Sequence, residues 1–450
     1  MNPEPPALWI KDPLAILADG APRGIVVMDG RIVELVPAGR APATPNITTF
    51  DAAAHVVLPG LINTHHHFYQ TLTRAVPAAL DRELFPWLQT LYPLWARLTP
   101  EALDLAATLA TAELLLSGAT MTTDHHYVFP KGLEDAVDIE VAAARRLGVR
   151  VLLTRGSMNL SQRDGGLPPD SVAQDEDTIL ADCERVVQRH HQGGEGAMVQ
   201  IALAPCSPFS VTTSLMRKTA DLARRLDLRL HTHLAETEDE NRFCHELYKC
   251  RPLDYLEECG WLSERTWLAH GIHFTPDEIA RLARAGTSVA HCPCSNQTLA
   301  SGACPVCAME EQGVRVGLGV DGSASNDASN LMQEVRAAFL LQRSRYGVGK
   351  VSHLDALRWA TKGSAACAGR SDIGEIAVGG MADLALFKLD ELRFSGHGDP
   401  LAALVLCGAT KADRVMVGGR WVVEDGRIPG PDIAALTARH QEAARKMRDS

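Results

Sequence analysis

The sequence predicts an α/β protein in which a parallel (β/α)8 barrel is joined to a small β-sandwich built from both chain ends. Residues 59–375 alternate strand-like apolar runs with amphipathic helical stretches, which is typical of a parallel barrel. Residues 1–58 and 376–430 instead hold short β-rich runs separated by Gly and Pro turns. We expect these two segments to form the sandwich and residues 431–450 to form a C-terminal helix.

Short strands are expected in the two end segments because β-branched residues cluster there. Asp29-Gly30 lies between two such clusters and is a β-hairpin signal. Gly418-Gly419 divides a similar run near the C-terminal end. The predicted strands of the sandwich are 9–10, 15–17, 24–28, 31–36, 382–387 and 414–423.

The barrel segment shows helical and strand-like periodicities in turn. Six helices are expected at 100–116, 134–147, 175–190, 214–226, 276–285 and 330–342. Six strands are expected at 149–154, 199–203, 228–233, 266–270, 287–291 and 315–321.

Four of these predicted strands end in a side chain that can bind a metal or a proton. The four residues are His233, His270, His291 and Asp321. In a parallel barrel the carboxyl ends of the strands form the active-site face. Core packing explains one such ending easily but hardly explains four, so we expect a functional site at this face.

A histidine triplet, His65-His66-His67, follows a short apolar run and the Pro59-Gly60 turn. Imidazole is a common ligand of divalent metals near neutral pH. On an extended strand, residues i and i+2 point to the same side, so His65 and His67 share a face and His66 faces away. The alternative is a solvated, histidine-rich loop.

The triplet and the strand endings together predict a metal site. His65, His67 and His233 supply imidazoles, and Asp321 supplies a carboxylate. This set suits one zinc or ferrous ion with an open coordination position for water. Taken singly, each of these residues could equally be a satisfied core histidine or a surface carboxylate.

Two further residues are predicted to act beside the metal. Glu236 follows His233 by three residues and is expected to shuttle a proton. His270 is expected to hydrogen-bond the attacking or developing oxygen. We expect only structural roles for His66, His231 and His273.

Composition restricts the partners of the protein. The chain of 450 residues has a net charge of −11, which argues against nucleic acid or an anionic membrane surface as the main partner. Residues 1–7 lack the basic and apolar regions that predict a signal peptide, and no apolar run has the length of a transmembrane helix. We therefore expect a cytoplasmic protein that acts on a small molecule.

The eleven cysteines are odd in number and scattered, which fits reduced thiols better than a disulfide framework. Cys292, Cys294, Cys304 and Cys307 form one cluster in the sequence. A structural zinc site is conceivable there, but two prolines stiffen the pairs, and we favour packed thiols.

The segment after the histidine triplet is expected to cover the metal. It carries Gln70 and Trp87, which suit the amide edge and the face of a flat heterocycle. For Leu84, Leu88 and Leu91 we favour packing within an amphipathic helix. Two residues at other strand ends, His126 and Cys206, are also expected to line the substrate pocket.

Several of these stretches resemble the amidohydrolase superfamily. More narrowly, they resemble its mononuclear-metal aminohydrolase branch, to which guanine deaminases and triazine hydrolases belong. The motifs are 59–67, His233-Leu234-Ala235-Glu236, Leu268-Ala269-His270, 291–296 and 321–326, and the closing strands at 379–384 and 417–420 are also similar. The resemblance spans about residues 20–430 and implies a distorted TIM barrel, a composite β-sandwich and hydrolytic loss of ammonia from a heterocycle.

The resemblance also implies a division of labour among the site residues. Binuclear members need a carboxylated lysine after the fourth strand, and this chain has no lysine between Lys131 and Lys218, so one metal is favoured. Glu236 would protonate a ring nitrogen. Asp321 would take a proton from water and pass it to the leaving amine.

The stretches 63–74 and 124–130 most resemble the 8-oxoguanine deaminase group, which implies conversion of 8-oxoguanine to uric acid and ammonia. Isoxanthopterin (pterin) and guanine deaminases are alternatives. So are triazine hydrolases that displace chloride or an alkylamine, and a scaffold that has lost catalysis. Zinc is the expected metal, iron is possible, and a homo-oligomer is expected.

Overall fold

The computed structural model describes residues 7–449. Its strands are numbered in chain order. They are β1 (Ala7–Lys11), β2 (Ala15–Ile16), β3 (Gly24–Met28), β4 (Arg31–Leu35), β5 (Ile47–Asp51), β6 (His55–Pro59), β7 (Leu61–Asn63), β8 (Ala119–His126), β9 (Arg150–Ser157), β10 (Val199–Pro205), β11 (Leu230–Leu234), β12 (Thr266–His270), β13 (Ser288–His291), β14 (Val316–Leu318), β15 (Leu384–Lys388), β16 (Arg414–Val417) and β17 (Arg420–Val423).

The α-helices are numbered in the same way. They are α1 (Leu84–Trp95), α2 (Pro100–Leu116), α3 (Ala136–Leu147), α4 (Glu176–His190), α5 (Thr213–Leu226), α6 (Glu238–Tyr248), α7 (Pro252–Glu258), α8 (Pro276–Ala285), α9 (Pro293–Thr298), α10 (Val306–Glu311), α11 (Leu331–Tyr346), α12 (His353–Arg358), α13 (Ser364–Cys367), α14 (Pro400–Leu406) and α15 (Ile433–Asp449). No helix within 7–449 is both long and apolar enough to cross a membrane.

The barrel is a parallel sheet of β7 to β14, in which each strand pairs with the next one in sequence. The ring closes just beyond the strand ends, where the backbone N–H of Thr64 donates to the carbonyl of Leu318 at 2.9 Å. Apolar side chains fill the interior below the carboxyl ends of the strands. These include Ile62, Met121, Leu152, Ala202, Trp267 and Ala290. The predicted fold class is confirmed, and the barrel is distorted at its β7–β14 seam.

Two further sheets lie outside the barrel. One has the strand order β4-β3-β1-β5, and the other has the order β17-β16-β15-β6-β2 and so combines both chain ends. Their facing side chains share an apolar cluster that includes Ile25, Val57, Leu386 and Met416. The expected hairpin at Asp29-Gly30 forms between β3 and β4. Strand β5 was not predicted, because its sequence, Ile-Thr-Thr-Phe-Asp, mixes polar and apolar residues.

Two details at the barrel mouth differ from the prediction. The histidine triplet follows β7 rather than lying on it. The backbone is still extended after the strand, as at His67 (φ −134°), so the expected alternation of side chains is kept. Strand β14 ends at Leu318, three residues before Asp321. Beyond Leu318 the backbone N–H groups of Gly319 and Asp321 donate to the carbonyls of His291 and His65 at 2.9 and 3.0 Å, and Asp321 adopts a left-handed conformation (φ +64°). Gly319 permits this course, since a Cβ there would lie 2.6 Å from the Cβ of His65.

Candidate active site and metal centre

Four metal-binding atoms converge at the mouth of the barrel. The Nε2 atoms of His67 and His233 lie 3.2 Å apart. The Oδ1 atom of Asp321 lies 3.3 Å from the Nε2 atoms of both His65 and His67. Donor atoms about 2.0–2.1 Å from a zinc ion stand about 3.3 Å apart in a tetrahedron. These three separations match the spacing that a tetrahedral ion requires.

Backbone carbonyls orient two of the three imidazoles. The Nδ1–H of His67 donates to the carbonyl of His125 at 2.8 Å, and the Nδ1–H of His233 donates to the carbonyl of Cys206 at 2.6 Å. In a neutral imidazole the other ring nitrogen then carries the lone pair. Both Nε2 lone pairs therefore face the centre of the site, as a metal-binding histidine requires.

The third imidazole, His65, is oriented by another histidine. The Nδ1 of His231 lies 2.8 Å from the carbonyl of Trp267 and must donate to it. The Nε2 of His231 is left as an acceptor, 2.8 Å from the Nδ1 of His65. The Nε2 of His65 is buried and has no hydrogen-bond partner among the described residues. This unpartnered lone pair lies among other atoms that can bind a metal, and it therefore fits a bound cation.

Asp321 accepts hydrogen bonds from two groups other than the imidazoles. Its Oδ1 accepts the backbone N–H of Gly322 at 2.7 Å, and its Oδ2 accepts the hydroxyl of Ser295 at 2.7 Å. Burial alone would raise the pKa of Asp321, but the contacts with His65 and His67 lower it well below the usual value. The carboxylate is therefore ionised, and its Oδ2 faces away from the two imidazoles.

Glu236 and His270 stand together beside the four ligand atoms. The Nε2 of His270 lies 3.4 Å from the Oε2 of Glu236 and 3.9 Å from the Oδ2 of Asp321. The Nδ1 of His270 lies 2.9 Å from the Oδ1 of Asn296. Burial and the charge of Asp321 raise the pKa of Glu236 well above its usual value. A carboxyl group of this kind can hold a proton at neutral pH.

The backbone at three of these positions is strained. Ala235, His270 and Asp321 all have positive φ values, of +54°, +74° and +64°. Non-glycine residues pay roughly 1–3 kcal/mol for such conformations, which persist only where the surrounding structure enforces them. Each strained residue follows or ends a barrel strand, so the strain turns the polar side chains towards a common centre.

A cavity adjoins the ligand atoms at the mouth of the barrel. Gln70, Trp87 and Cys206 line it, as the sequence predicted. Leu84 and Leu88 pack in the apolar cluster of α1, as expected, and also line the cavity. Tyr127, from the stretch 124–130 singled out in the sequence, lines it as well. Sequence reasoning did not assign four other lining residues, which are Tyr92, Phe209, Leu299 and Ser325.

Gln70 and Trp87 both contact the segment that follows Asp321. The backbone N–H of Ala324 lies 3.4 Å from the Oε1 of Gln70, and the indole N–H of Trp87 donates to the carbonyl of Ala324 at 3.3 Å. A Cβ on Gly322 would lie 1.9 Å from the Oε1 of Gln70. The amide of Gln70 thus rests directly on the backbone of Gly322, next to the carboxylate ligand.

His126 does not line the cavity, contrary to the prediction. Its Nε2–H donates to the carbonyl of Val128 at 2.8 Å, and its Nδ1 lies 2.9 Å from the Oε1 of Glu140 on α3. Strand alternation explains the error: Met121 faces the barrel interior, so His125 faces inward and His126 faces the helices. His125 stacks against His233 with ring centroids 4.8 Å apart. Asp124, His126 and Glu140 form a separate, fully buried cluster.

His66 and His291 lie outside the groups of side chains that are close enough to share a metal within 7–449. His66 accepts the backbone N–H of His67 at 2.7 Å through its Nδ1. Both ring nitrogens of His291 are buried without a partner among the described residues. Within 7–449, the groups of side chains close enough to share a metal contain no cysteine. Cys304 instead contacts the sulfur of Met309, as packed thiols do.

Comparison with known proteins agrees with the residues that form this site. A family model described as the amidohydrolase family matches residues 56–422. The chain therefore belongs to the amidohydrolase family, a class of metal-dependent hydrolases. An 8-oxoguanine deaminase of Pseudomonas aeruginosa is 62% identical over 439 residues, which cover 97% of this chain and 98% of that protein.

Two more distant proteins are similar over the whole length. An isoxanthopterin deaminase from an unknown prokaryotic organism is 36% identical over 469 residues, covering 98% of this chain and 97% of that protein. The crystal structure of an atrazine chlorohydrolase from Arthrobacter aurescens, complexed with zinc, superposes with a TM-score of 0.91 at 30% identity. That superposition covers 97% of this chain and the whole of the other. The family predicted from the sequence motifs is thus confirmed.

Proposed function

We propose that this protein removes the 2-amino group of 8-oxoguanine by hydrolysis and releases uric acid and ammonia. The observation that carries the chemistry is the set of three short separations at the barrel mouth: the Nε2 atoms of His67 and His233 lie 3.2 Å apart, and the Oδ1 of Asp321 lies 3.3 Å from the Nε2 atoms of His65 and His67. The choice of substrate is supported by the 62% identity to an 8-oxoguanine deaminase over nearly the full length.

One divalent ion, most suitably zinc, would be held by His65, His67, His233 and Asp321. Their spacing fits a tetrahedral ion, and ferrous iron is the second choice for this donor set. Such an ion lowers the pKa of a bound water to about 7 and so supplies a nucleophile at neutral pH. Zinc in the similar chlorohydrolase structure supports this choice of metal.

Three side chains would then move the protons of the reaction. Glu236, whose carboxyl group holds a proton, donates it to the ring nitrogen beside the carbon that is attacked. The Oδ2 of Asp321 accepts a proton from water and returns it to the leaving amine. The Nε2 of His270 faces Glu236 and Asp321, where it can hydrogen-bond the oxygen added to the ring. A carbon–oxygen bond forms, the carbon–nitrogen bond breaks and ammonia leaves, and the hydroxyl proton of the adduct returns to Glu236 as the carbonyl forms.

The cavity suits a flat, uncharged base. Trp87, Tyr127 and Phe209 offer aromatic faces, and Gln70 offers an amide to a ring edge. Among the described residues, no lysine or arginine lines the cavity. A phosphate group would therefore find no cationic side chain there. These features support a free heterocycle as the substrate.

The direct test is an ammonia-release screen with zinc-loaded and iron-loaded protein. The substrates are 8-oxoguanine, guanine, isoxanthopterin, cytosine, S-adenosylhomocysteine and hydroxyatrazine. We expect the highest kcat/KM with 8-oxoguanine, with uric acid formed in equal amount to ammonia. Faster turnover of isoxanthopterin would reassign the substrate, and release of an alkylamine from hydroxyatrazine, or of chloride from atrazine assayed in parallel, would reassign the reaction. A lack of activity with either metal would favour a non-catalytic scaffold.

The role of Glu236 has its own test. We expect Glu236→Gln to lower kcat by about 10²–10⁴-fold, because a general acid contributes about that factor. The metal content of the variant should stay at one ion per chain, since Glu236 is not a ligand in this proposal. Near-wild-type turnover with the metal bound would exclude Glu236 as the proton shuttle.

A further inference from the structure

Glu240 is a buried acid that the proposed chemistry does not use. Its side chain is fully buried in the first turn of α6, four residues after Glu236. The Oε2 of Glu240 accepts the backbone N–H of Glu236 at 2.9 Å. Burial raises the pKa of Glu240 to about 8, and hydrogen bonds from the backbone of Glu236 and Ala235 partly oppose this rise.

The backbone that Glu240 holds is the strained turn at the end of β11. Ala235 adopts a left-handed conformation with φ +54°. The carbonyl of Ala235 accepts the N–H groups of Ile272 at 2.8 Å and His273 at 2.9 Å, both from the loop that follows His270. The turn is therefore tied on one side to the His270 loop and on the other side to α6 through Glu240.

This contact is unusual for a glutamate at the third position of a helix. In a capping box, a glutamate there accepts the N–H of the N-cap residue, which is Thr237 in α6. Here the carboxyl group bonds the N–H one residue earlier, at Glu236, and the side chain of Thr237 makes no capping bond. The helix start thus supports the backbone of the site rather than its own first turn.

We propose that Glu240 is a positioning residue that holds Glu236 in its reactive place, an inference that rests on the proposed role of Glu236. The carboxyl group of Glu236 follows the left-handed turn at Ala235 directly, and its Oε2 lies 3.4 Å from the Nε2 of His270. Loss of the Glu240 acceptor leaves a buried N–H unpaired and allows the turn to relax. A misplacement of about 1 Å at a reacting group costs about 10²-fold in rate.

Three substitutions separate hydrogen bonding from charge and from packing. Glu240→Gln keeps both the length and an acceptor oxygen, Glu240→Asp keeps the acid but shortens its reach, and Glu240→Ala removes the acceptor. We expect kcat to fall about 30–100-fold in the Ala and Asp variants and less than about threefold in the Gln variant. KM and the metal content should stay within about twofold of wild type. Glu246→Ala, on the exposed side of the same helix, is the matched control and should leave kcat unchanged.

Hydrogen exchange of the peptide spanning residues 234–241 gives a readout that does not depend on turnover. The Glu236 amide should exchange slowly in wild type and in Glu240→Gln, and quickly in the Ala and Asp variants. If Glu240→Asp retains both activity and protection while Glu240→Gln loses them, the charge matters rather than the reach, and the proposal is wrong. Wild-type kcat in Glu240→Ala would also overturn it.

A double substitution shows whether Glu240 acts through Glu236. In a Glu236→Gln background we expect Glu240→Ala to cause no further loss of kcat, because the group that it positions is already disabled. If kcat instead falls again by the same factor as in the single Glu240→Ala variant, Glu240 acts through another route and the proposal is refuted. If Glu236→Gln alone retains activity, the proposed function of Glu236 fails instead, and the exchange experiment still tests whether Glu240 holds the turn.

Discussion

The Nδ1 atom of His65 lies 2.8 Å from the Nε2 atom of His231, so one histidine determines the tautomer of the other. His231 can only accept this hydrogen bond, because its own Nδ1–H donates to the carbonyl of Trp267. The lone pair of His65 is thereby directed to the metal centre. His231 was expected to be merely structural, although its position two residues before His233 places both side chains on the same face of β11.

We expect His231→Phe to weaken zinc binding about 10–100-fold, the usual cost of losing the partner of a metal-binding histidine. The phenyl ring fills the space but accepts no hydrogen bond from His65. Zinc affinity is measured by competition with a chromogenic chelator. His231→Gln, whose amide oxygen can accept the bond, should recover part of the affinity. Unchanged affinity in His231→Phe would show that the imidazole pair does not orient His65.

Gly322→Ala should raise KM for the substrate at least about tenfold, because the new methyl group would displace the amide of Gln70. Gly349→Ala is the matched control, since a Cβ there meets no atom within 4 Å. In a Gln70→Ala background the same glycine substitution should have little further effect on KM. A full additional increase in that background would indicate that Gly322 acts on Asp321 rather than on Gln70.

The stability of the protein should fall as the pH rises from about 5 towards 8, in part through Glu140. Burial raises the pKa of Glu140 to about 8, against 4.5 for an ordinary glutamate. Between these values the folded state holds a proton that the unfolded state has lost, so unfolding becomes easier by at most about 1.4 kcal/mol per pH unit. Glu140→Gln cannot ionise, and its Tm should therefore depend less on pH. If Tm changes equally with pH in the wild-type protein and in Glu140→Gln, this assignment is contradicted.

Removal of the metal should lower Tm, and zinc should restore it. Zinc at 100 times its Kd stabilises the folded state by about 2.7 kcal/mol. Thermal unfolding of chelator-treated protein, with and without added zinc, measures the effect. The variant His65→Ala/His67→Ala should show no response to zinc. A retained response would place the ion elsewhere, for example at the buried cluster of Asp124, His126 and Glu140.

The sequence predicted the architecture well because the barrel depends on patterns that repeat. Helices α2, α4 and α8 lie within one residue of their predicted bounds, since each begins beside a Thr, Asp or Pro start signal. Strand β12 begins and ends where it was predicted. The three predicted histidine ligands and Asp321 come together because the carboxyl ends of parallel strands share one face of the barrel.

The details of the pocket were less predictable, because they depend on which way neighbouring side chains point. His125 and His126 are identical in type, and the sequence alone does not say which one faces the barrel interior. Leu84 and Leu299 meet the cavity through tertiary packing that leaves no periodic signal in the chain. Ser295 and Asn296 belong to a recognised motif, but their bonds to Asp321 and His270 became evident only in the fold. The domain boundaries, a homo-oligomer and a cytoplasmic location stay predictions.

The position of α15 has a consequence for the folding of the protein during translation. This helix packs against the segment that carries Gln70: the Nε2 of His440 lies 3.0 Å from the hydroxyl of Thr71, and Met447 joins the apolar cluster that holds Trp87 and Leu88. One wall of the cavity is therefore supported by residues translated long after the barrel. We expect a nascent chain that still has residues 433–449 inside the ribosome to hold its metal ligands but not a finished pocket, so that activity begins only after this helix emerges.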